Sequence, residues 1–339
     1  MTTIREVAEK AGVSIGTVSR ALNNKNGVGD QTRQRIIEVS RELGYSPNRR
    51  VPDAAPETLH VGVLIAPLPY PPLSDPFYSM VVQGVVSGLK AAQVGMTLES
   101  LSVSDGKLID YSQIFHDDRL QGYVVVGGEI VNYIDQLSAV IDDPIVLVDA
   151  DHPRPMVDSV MADNAKGGYQ AAIHLIEQGH THIIQLGGMN HSSLVERRVG
   201  YERAMHEHGL QPKIVGSSVT LTLTPQDAAA TVDQILAEAP ETTGIICLND
   251  IQAVAIMHEL KRRGHNIPQD YSIIGFDDIE MIKYISPALT TVRIDRLGMG
   301  EMAIYTLLGR INNPERFHCR VTFNTELVVR ESSGPPRQP

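Results

Sequence analysis

The chain has 339 residues, but it contains no tryptophan, two cysteines and only 5% aromatic residues. Cys247 and Cys319 are too few for a disulfide framework, and neither lies in a Cys/His cluster with the spacing of metal ligands. No apolar run approaches the roughly 18 residues that a transmembrane helix needs. The segment MTTIREVAEKAG at the amino terminus has charges of both signs and no apolar stretch typical of a signal peptide. These absences predict a soluble cytoplasmic protein.

The sequence also lacks the motifs of several enzyme classes. It has no GxSxG, no GxxxxGK[ST] and no GxGxxG after a predicted strand. The histidine-rich stretches at 180–182 and 206–208 do not have the HExxH spacing of a zinc site. Asp277 and Asp278 are adjacent carboxylates, but neighbouring residues of an extended chain point to opposite faces. We therefore predict a binding protein, not an enzyme, with no cofactor and no metal.

The net charge of −11 is distributed unevenly along the chain. Residues 1–50 contain 9 Lys and Arg and 5 Asp and Glu, which is a balance of +4. The remaining 289 residues have a balance of −15. A basic segment on an acidic chain indicates contact with nucleic acid, although +4 over fifty residues also fits a solvated helical surface.

The first 47 residues, which we call the head, show the pattern of three short helices. Apolar residues recur with helical spacing over 4–11, 15–22 and 32–43. Between the first two helices, Gly12 provides a stop and Ser14 an N-cap. Two helices joined by a tight turn that contains Gly are typical of a helix-turn-helix. A helical hairpin that docks on the rest of the chain is the alternative.

The outer face of the second predicted helix has the chemistry of a DNA-binding surface. Arg20 can reach a guanine edge with two hydrogen bonds, and Ile15 and Gly16 allow apolar contact and close approach to base edges. Short polar side chains in and around the helix suit phosphate oxygens, which fix position without reading sequence. These are Thr3, Ser14, Thr17, Ser19 and Asn23.

After a proline-rich stretch at 46–60, apolar strand patterns alternate with helical patterns. The predicted strands are 61–66, 123–126, 145–149, 182–187, 244–248 and 271–276, and the predicted helices lie near 77–93, 165–178, 196–208, 226–237 and 251–263. This alternation predicts an α/β protein with parallel sheets and βαβ crossovers. The number of elements favours two sheets, with a changeover near Asp163 and a return near Pro287.

The stretch TIREVAEKAGVSIGTVSRALNN…TRQRI…ELGYSPN resembles the head of the lactose-repressor/galactose-repressor family of bacterial transcription regulators. The likeness continues along the chain in SDPFY (74–78), ADNAKGG (162–168), ERRVGYERAM (196–205), IIGFDD (273–278) and SPALTTV (286–292). It implies a helix-turn-helix head and a body of two Rossmann-like subdomains, like those of a periplasmic sugar-binding protein. It also implies a homodimer, with a tetramer as the alternative assembly, on a roughly palindromic double-stranded DNA operator.

The resemblance sets the expected domain boundaries. These are the head at 1–47, a linker or hinge at 48–59, an effector-binding and dimerisation body at 60–331, and a tail at 332–339. The expected subdomains of the body are about 60–161 with 289–321, and 162–288 with 322–331. The last residues, RESSGPPRQP, show no heptad repeat and are expected to be disordered. An apolar stripe over 297–308 fits either a dimer surface or the core.

The same resemblance implies roles for several residues of the head and shows where the head and the linker differ from the family. Ile15, Gly16 and Arg20 match base-reading positions. The positions that match contacts to the DNA backbone are Thr3, Ser14, Thr17, Asn23, Thr32 and Asn48. Gly29 stands where the family has a capping Ser, so Asp30 is expected to cap the third helix one residue later. Val51, Pro52 and Ala54 disfavour the family's hinge helix and its wedging Leu, so a short or absent hinge helix is expected.

Ligands of open α/β sheets bind beyond the carboxyl ends of the strands, so effector residues should follow strands directly. Five candidates do so and also match effector positions of the family: Asp75, Phe77, Arg197, Asn249 and Asp277. Carboxylates, an amide and a guanidinium suit a polyol, whose hydroxyls both donate and accept hydrogen bonds.

Alternatives stay open for this site. Asp75 and Asn249 also fit helix N-caps, and Asp278 fits a solvated carboxylate. Asp149 and Asp163 lie at strand ends and are further candidates for ligand contact, although Asp163 also fits an N-cap. The stretch VTLTL lacks the aromatic residue that many family members place there to stack on the ligand. A sugar or glycoside that releases the protein from DNA is the favoured effector. A purine or nucleoside that tightens DNA binding is the alternative.

Overall fold

The computed structural model of the chain describes residues 4–22, 28–43, 59–67, 75–105, 107–109, 114–152, 157–187, 192–216 and 224–337. The chain divides into two compact units, Met1–Glu57 and Thr58–Pro339, of which the first contains the head and the second the body. Predictions for Thr3, Asn23, Asn48, the linker residues 51–54 and the VTLTL stretch lie outside the described residues.

The head contains the three predicted helices, α1 (Ile4–Ala11), α2 (Ile15–Leu22) and α3 (Asp30–Glu42). Their apolar faces meet in a small core, in which the buried side chains are Val7, Ala8, Ala11, Val18, Ala21 and Ile36. The expectation that Asp30 caps α3 is wrong, because Asp30 already lies in the first turn. The N-cap is Gly29, which supplies no side-chain hydrogen bond.

The body alternates strands and helices as predicted. In chain order they are β1 (His60–Ile65), α4 (Pro76–Ala92), β2 (Gly95–Ser100), β3 (Ser102–Ser104), β4 (Lys107–Ile109), β5 (Leu120–Val126), α5 (Ile134–Ser138), β6 (Ile145–Val148), β7 (Asp158–Ala162), α6 (Asn164–Glu177), β8 (Ile183–Leu186), α7 (Ser192–Glu207), β9 (Lys213–Val215), α8 (Pro225–Glu238), β10 (Gly244–Ile246), α9 (Asp250–Arg262), β11 (Ser272–Asp277), β12 (Thr290–Arg293), α10 (Arg296–Asn312), β13 (Arg320–Phe323) and β14 (Glu326–Val328). The strands β5, β6 and β11 are apolar and buried along almost their whole length, because helices cover both faces of a parallel sheet.

Two six-stranded sheets organise the body. The first has the order β13-β7-β6-β5-β1-β2 and is parallel throughout. The second has the order β14-β12-β11-β10-β8-β9 and is parallel except for the β12–β14 pair. Each sheet with its helices forms one subdomain, and this is an α/β architecture with a helix-turn-helix head.

The chain passes between the two subdomains three times. It leaves the first sheet after β7, returns between β12 and α10, and enters the second sheet again between β13 and β14. We expected the return near Pro287, but β12 pairs in parallel with β11 over Ile274–Asp277, so the return lies between Arg293 and Arg296. The sequence pattern missed β12 because its residues TTVR include only one apolar side chain and so form no apolar run.

The apolar stripe of α10 belongs to the core of the first subdomain. Ile304 is fully buried, and Met302 and Leu308 pack against the same core cluster. A further correction concerns the tail, which is held against the second sheet through residue 334. Ser332 is buried and accepts from the Thr290 amide over 2.8 Å, and its backbone carbonyl accepts from the Ile273 amide over 2.8 Å. Side-chain and backbone hydrogen bonds to a sheet thus order a segment that its composition suggested would be disordered.

Candidate functional site

The carboxyl ends of both sheets border one narrow cavity between the two subdomains, with a volume of about 40 Å³. Its lining is Asp75, Pro76, Phe77, Tyr78, Asp149, Ser193, Leu194, Arg197, Asn249, Ile251, Asp277 and Ile279. All five effector residues predicted from the sequence are in this lining. The prediction rested on strand ends and on the family resemblance, and the parallel topology of both sheets brings those ends together.

Asp75 and Asn249 combine two roles, because each caps a helix and faces the cavity. The Asp75 carboxylate accepts from the Phe77 and Tyr78 amides over 2.7 and 3.1 Å at the start of α4. The Asn249 side chain accepts from the Gln252 amide over 2.8 Å at the start of α9. The N-cap reading of both residues is therefore confirmed, and the caps fix their side chains at the cavity wall.

Arg197 is buried at the centre of the cavity wall. Its Nε donates to the Asn164 side chain over 3.0 Å, one Nη donates to the Leu248 carbonyl, and the other lies 3.4 Å from Asp277. The guanidinium also sits 3.7 Å above the ring of Phe276. The helix α7 begins at Ser192, four residues earlier than predicted, so Arg197 lies in its second turn. Contacts on every side make Arg197 a rigid donor.

Two glycines explain why α7 can hold Arg197 in this place. A Cβ atom on Gly168 of α6 would lie 2.0 Å from the Arg197 carbonyl oxygen. A Cβ atom on Gly200 of α7 would lie 1.9 Å from the Ala165 carbonyl oxygen. Because real side chains cannot approach a backbone so closely, both positions require glycine for the α6–α7 contact. The motifs ADNAKGG and ERRVGYERAM thus set the position of Arg197.

Asp277 is a strained and electrostatically perturbed residue. Its pKa is raised to about 7, mainly by burial. The positive charges of Arg197 and Arg296 lower this pKa, and the carboxylates of Asp149 and Asp75 add to the increase. Its φ of 109° is a conformation that residues other than glycine rarely adopt. A carboxyl group with this pKa can donate as well as accept hydrogen bonds near neutral pH.

Ser193 is missing from the sequence prediction, whereas Asp149, which directly follows β6, is one of its further candidates. The Asp149 carboxylate accepts from the Ser193 hydroxyl over 2.7 Å and from the Tyr78 hydroxyl over 3.1 Å. Ser193 lies on α7 of the second subdomain, so this hydrogen bond crosses the cavity. Burial and the Asp149 charge hold the pKa of Tyr78 well above its usual value, which keeps the phenol protonated as a donor.

Asp278 and Asp163 stabilise the fold and do not line the cavity. Asp278 is buried and paired with Arg293 over 2.8 Å and with Arg330, so the reading of a solvated carboxylate is wrong. These arginines lower its pKa. Asp163 caps α6 by accepting from the Lys166 amide over 3.0 Å and does not line the cavity.

In the head, the predicted base-reading side chains lie on the exposed part of α2. Ile15 is 40% exposed, and Gly16 and Arg20 are exposed. Ser14 also caps this helix, because its hydroxyl accepts from the Thr17 amide over 3.2 Å. Thr17, Ser19 and Thr32 are half-buried.

The described residues contain no group of three or more His, Cys, Asp and Glu that could hold a metal ion. In the same part of the chain, no helix is both long enough and apolar enough to cross a membrane.

Comparisons with known proteins agree with both units. Residues 3–48 match bacterial regulatory proteins of the lacI family, and residues 172–333 match a periplasmic binding protein-like domain. The HTH-type transcriptional regulator DegA of Bacillus subtilis is 31% identical, and the HTH-type transcriptional repressor PurR of Photobacterium profundum is 30% identical, each over 98% of both chains. A solved complex of the transcriptional regulator CelR with cellobiose superposes with a TM-score of 0.70 at 26% identity, over 98% of this chain and 100% of that one. The chain therefore belongs to the lacI family of bacterial regulatory proteins and is a DNA-binding transcriptional regulator.

Proposed function

We propose that this regulator is a cytoplasmic repressor that binds a palindromic operator as a homodimer and is released by a sugar or glycoside. The observation that carries the proposal is the cavity between the two sheets, in which Asp75, Asp149, Asn249, Asp277 and Arg197 converge. No nucleophile with an activating base is needed for this role, because the ligand acts by binding alone.

The cavity wall suits a ligand with many hydroxyl groups. Carboxylate oxygens accept hydrogen bonds from hydroxyls, and Arg197 donates to oxygens. Asp277, with a pKa of about 7, can do both. A sugar would enter after the two subdomains move apart, because the cavity of about 40 Å³ is smaller than the usual small-molecule site. The likeness to the CelR–cellobiose complex supports a carbohydrate.

DNA recognition is assigned to the head. We assign base reading to Ile15, Gly16 and Arg20, whose side chains or backbone are exposed along α2. Contacts to the DNA backbone are assigned to Thr3, Ser14, Thr17, Ser19, Asn23, Thr32 and Asn48. Two heads related by a two-fold axis would read two half-sites of a palindrome. The Arg20→Ala variant should lose about 1–3 kcal/mol at the preferred site, and an unchanged site preference would remove Arg20 from this role.

Signal transfer follows from the position of the cavity between the subdomains. A ligand that touches both walls favours the arrangement in which they are close together. It can shift the equilibrium only by its difference in affinity for the two arrangements. In a dimer, the shift would move the first subdomains against each other and change the spacing of the two heads. We expect the ligand-bound spacing to fit the operator poorly.

The alternative is a regulator that binds a purine or nucleoside and tightens on DNA. The 30% identity to repressors named PurR over 98% of both chains favours it. The VTLTL stretch lacks the aromatic residue that many members of the family place there to stack on the ligand, so it favours neither a sugar nor a purine. The two readings predict opposite signs for the effect of ligand on operator affinity.

Operator titrations distinguish these readings. The preferred duplex is first selected by the full-length protein from a random-sequence library, and its affinity is then measured with ribose, glucose, cellobiose, hypoxanthine and guanine. Weaker binding with a sugar supports the main proposal. Tighter binding with a purine and no response to sugars would replace it by the alternative. The Asp277→Asn variant should bind the operator like the wild type and lose the response.

The uneven charge predicts the salt dependence of operator binding. Residues 1–50 have a balance of +4 and the remaining residues a balance of −15, so the body repels DNA. The slope of log K against log salt should correspond to the few phosphate contacts of each head, at about −0.9 per neutralised phosphate. A slope far steeper than the head's cations could supply would contradict this assignment.

A further inference from the structure

Arg33 connects the third helix of the head to the end of the second. It lies in the first turn of α3, and its Nη1 donates to the Ala21 carbonyl over 2.9 Å and to the Arg20 carbonyl over 3.5 Å. Its own backbone amide donates to the Gly29 carbonyl over 2.9 Å. The guanidinium therefore sits at the carboxyl end of α2 while its backbone is fixed in α3.

These contacts matter because α2 is only eight residues long. The last four carbonyls of a helix have no partner within the helix, and a cation near them is favoured by the helix dipole. Arg33 supplies both a donor and a cation at that end. At the other end, Ser14 accepts from the Thr17 amide over 3.2 Å. Side chains from outside the helix thus hold both ends of α2, whose two turns would be marginal alone.

The residue whose backbone Arg33 holds is Arg20, the principal candidate for base reading. The Arg20 side chain is exposed and makes no hydrogen bond or ion pair within the described part of the chain. Its backbone is fixed relative to α3 by the Arg33 contact, and the neighbouring Ala21 is buried in the same core cluster as Ile36 of α3. Arg20 therefore combines a backbone that is held against α3 with an exposed guanidinium.

We propose that Arg33 is a positioning residue for base recognition, which fixes the direction in which α2 presents Arg20 to DNA. The inference rests on the proposed DNA-reading role of α2. A bidentate contact to guanine tolerates little displacement of the donor, so a small rotation of the last turn of α2 reduces discrimination between bases. Contacts to phosphates are less directional, because they are charge attractions to an extended backbone.

The test uses the full-length protein and the duplex that the wild type selects from a random library. Affinity for this duplex and for a scrambled duplex of the same length is measured over a range of salt concentrations. Arg33→Met removes the donor, and Arg33→Lys keeps the charge without the planar fork. Arg35→Met is the matched control, because Arg35 lies on the same helix, is exposed, and makes no hydrogen bond or ion pair with described residues.

We expect Arg33→Met to reduce the preference for the selected duplex over the scrambled one by about tenfold, which lies within the range of losing one bidentate contact. The salt slope should stay unchanged, Arg33→Lys should restore the preference only in part, and Arg35→Met should leave it intact. An equal loss on both duplexes with a slope smaller by about one per head would show a phosphate contact and overturn the proposal.

A second outcome would also overturn it. If circular dichroism shows the Arg33→Met protein folded and its preference equals that of the wild type, Arg33 has no part in recognition. A failure of the proposed function gives a different result. In that case the wild-type protein itself selects no sequence from the library, and α2 does not read DNA.

Discussion

Ser193 donates its hydroxyl to the Asp149 carboxylate over 2.7 Å and thereby joins the two subdomains of the body across the cavity. Asp149 follows β6 of the first sheet, and Ser193 lies in the first turn of α7 of the second subdomain. Both side chains are buried. Arg320 of β13 makes a second connection, with Glu196 of α7 over 2.7 Å. The closed arrangement thus has bonds of its own that a ligand can strengthen or replace.

Ser193→Ala should weaken this closed arrangement. Loss of a hydrogen bond to a buried carboxylate costs about 1–3 kcal/mol in the free energy of unfolding, because Asp149 is left with one donor fewer. We also expect a larger radius of gyration in small-angle X-ray scattering, since the subdomains separate more easily. Thermal unfolding and scattering of the ligand-free protein measure the two effects.

Ser192→Ala is the matched control. The Ser192 hydroxyl is the neighbouring one in the sequence, its oxygen is buried, and it has no hydrogen-bond partner among the described residues. Its removal should leave stability and scattering unchanged or raise the melting temperature slightly. Equal behaviour of the Ser192 and Ser193 variants would show that the Asp149 contact does not hold the subdomains together.

Gly168→Ala tests whether the α6–α7 contact sets the position of Arg197. The added methyl would lie 2.0 Å from the Arg197 carbonyl oxygen, so α7 must move away. Overpacking of this kind costs about 1–3 kcal/mol. Hydrogen exchange measured by mass spectrometry should show faster exchange in α7, and the melting temperature should fall.

Gly309→Ala separates this clash from the general effect of a methyl group in a helix. Gly309 lies in α10, and a Cβ there would approach no backbone atom but only the end of the Arg316 side chain, at 3.0 Å. Its alanine variant should be as stable as the wild type or more so, because alanine favours the helix. Unchanged exchange in α7 of the Gly168→Ala protein would mean that Arg197 does not depend on this contact.

Sequence patterns predicted the parts of the fold that each segment determines by itself. Continuous apolar runs located β1, β5 and β11, since strands buried on both faces carry such runs. They missed β2, an edge strand whose side chains alternate between half-buried and exposed, because it has no continuous apolar run. The helix caps at Asp75 and Asn249 were predictable from residue type alone.

The remaining features depend on partners from distant parts of the chain. Asp149 gains its role from Ser193, which is 44 positions away, and Asp278 is buried by Arg330, which is 52 positions away. The residues next to Asp149 and Asp278 in the sequence do not indicate these distant partners. The Asp277 backbone, with a φ of 109°, contradicts its local propensity and is imposed by the surrounding structure.

Gly29→Ser should stabilise the start of α3. Gly29 has φ −63° and ψ 148°, which any residue adopts, and no atom lies within 4 Å of a Cβ built there. A serine hydroxyl can accept a hydrogen bond from an amide of the first turn, which stabilises a helix by a few tenths of a kcal/mol relative to glycine. Hydrogen exchange of the Gln31 and Thr32 amides in the full-length protein should slow about twofold. Gly29→Ala lacks the acceptor, and equal slowing in that variant would contradict the capping argument.

Asp277 should make the body less stable as the pH rises. Its pKa is about 7 in the folded protein, whereas an aspartate in the unfolded chain has its ordinary pKa of 3.8, so folding favours the protonated form. This contribution is fully present below pH 3.8 and is lost as the pH rises through 7. The wild type should therefore lose more free energy of unfolding between pH 5.5 and pH 8 than Asp277→Asn does. The lowered pKa values of His174 and His180 act in the opposite direction, but they are common to both proteins and cancel in the comparison.

The neighbouring carboxylate provides the control for this pH effect. Ion pairs with Arg330 and Arg293 lower the pKa of Asp278, so Asp278 stays ionised throughout this pH range. Asp278→Asn should lower stability by a similar amount at pH 5.5 and at pH 8, since it weakens the same charge-assisted hydrogen bonds at either pH, at a cost of about 1–3 kcal/mol. Urea unfolding of the three proteins at both pH values measures the difference. Parallel curves for the wild type and Asp277→Asn would show that Asp277 is ionised in the folded protein at pH 5.5, and the raised pKa would be wrong.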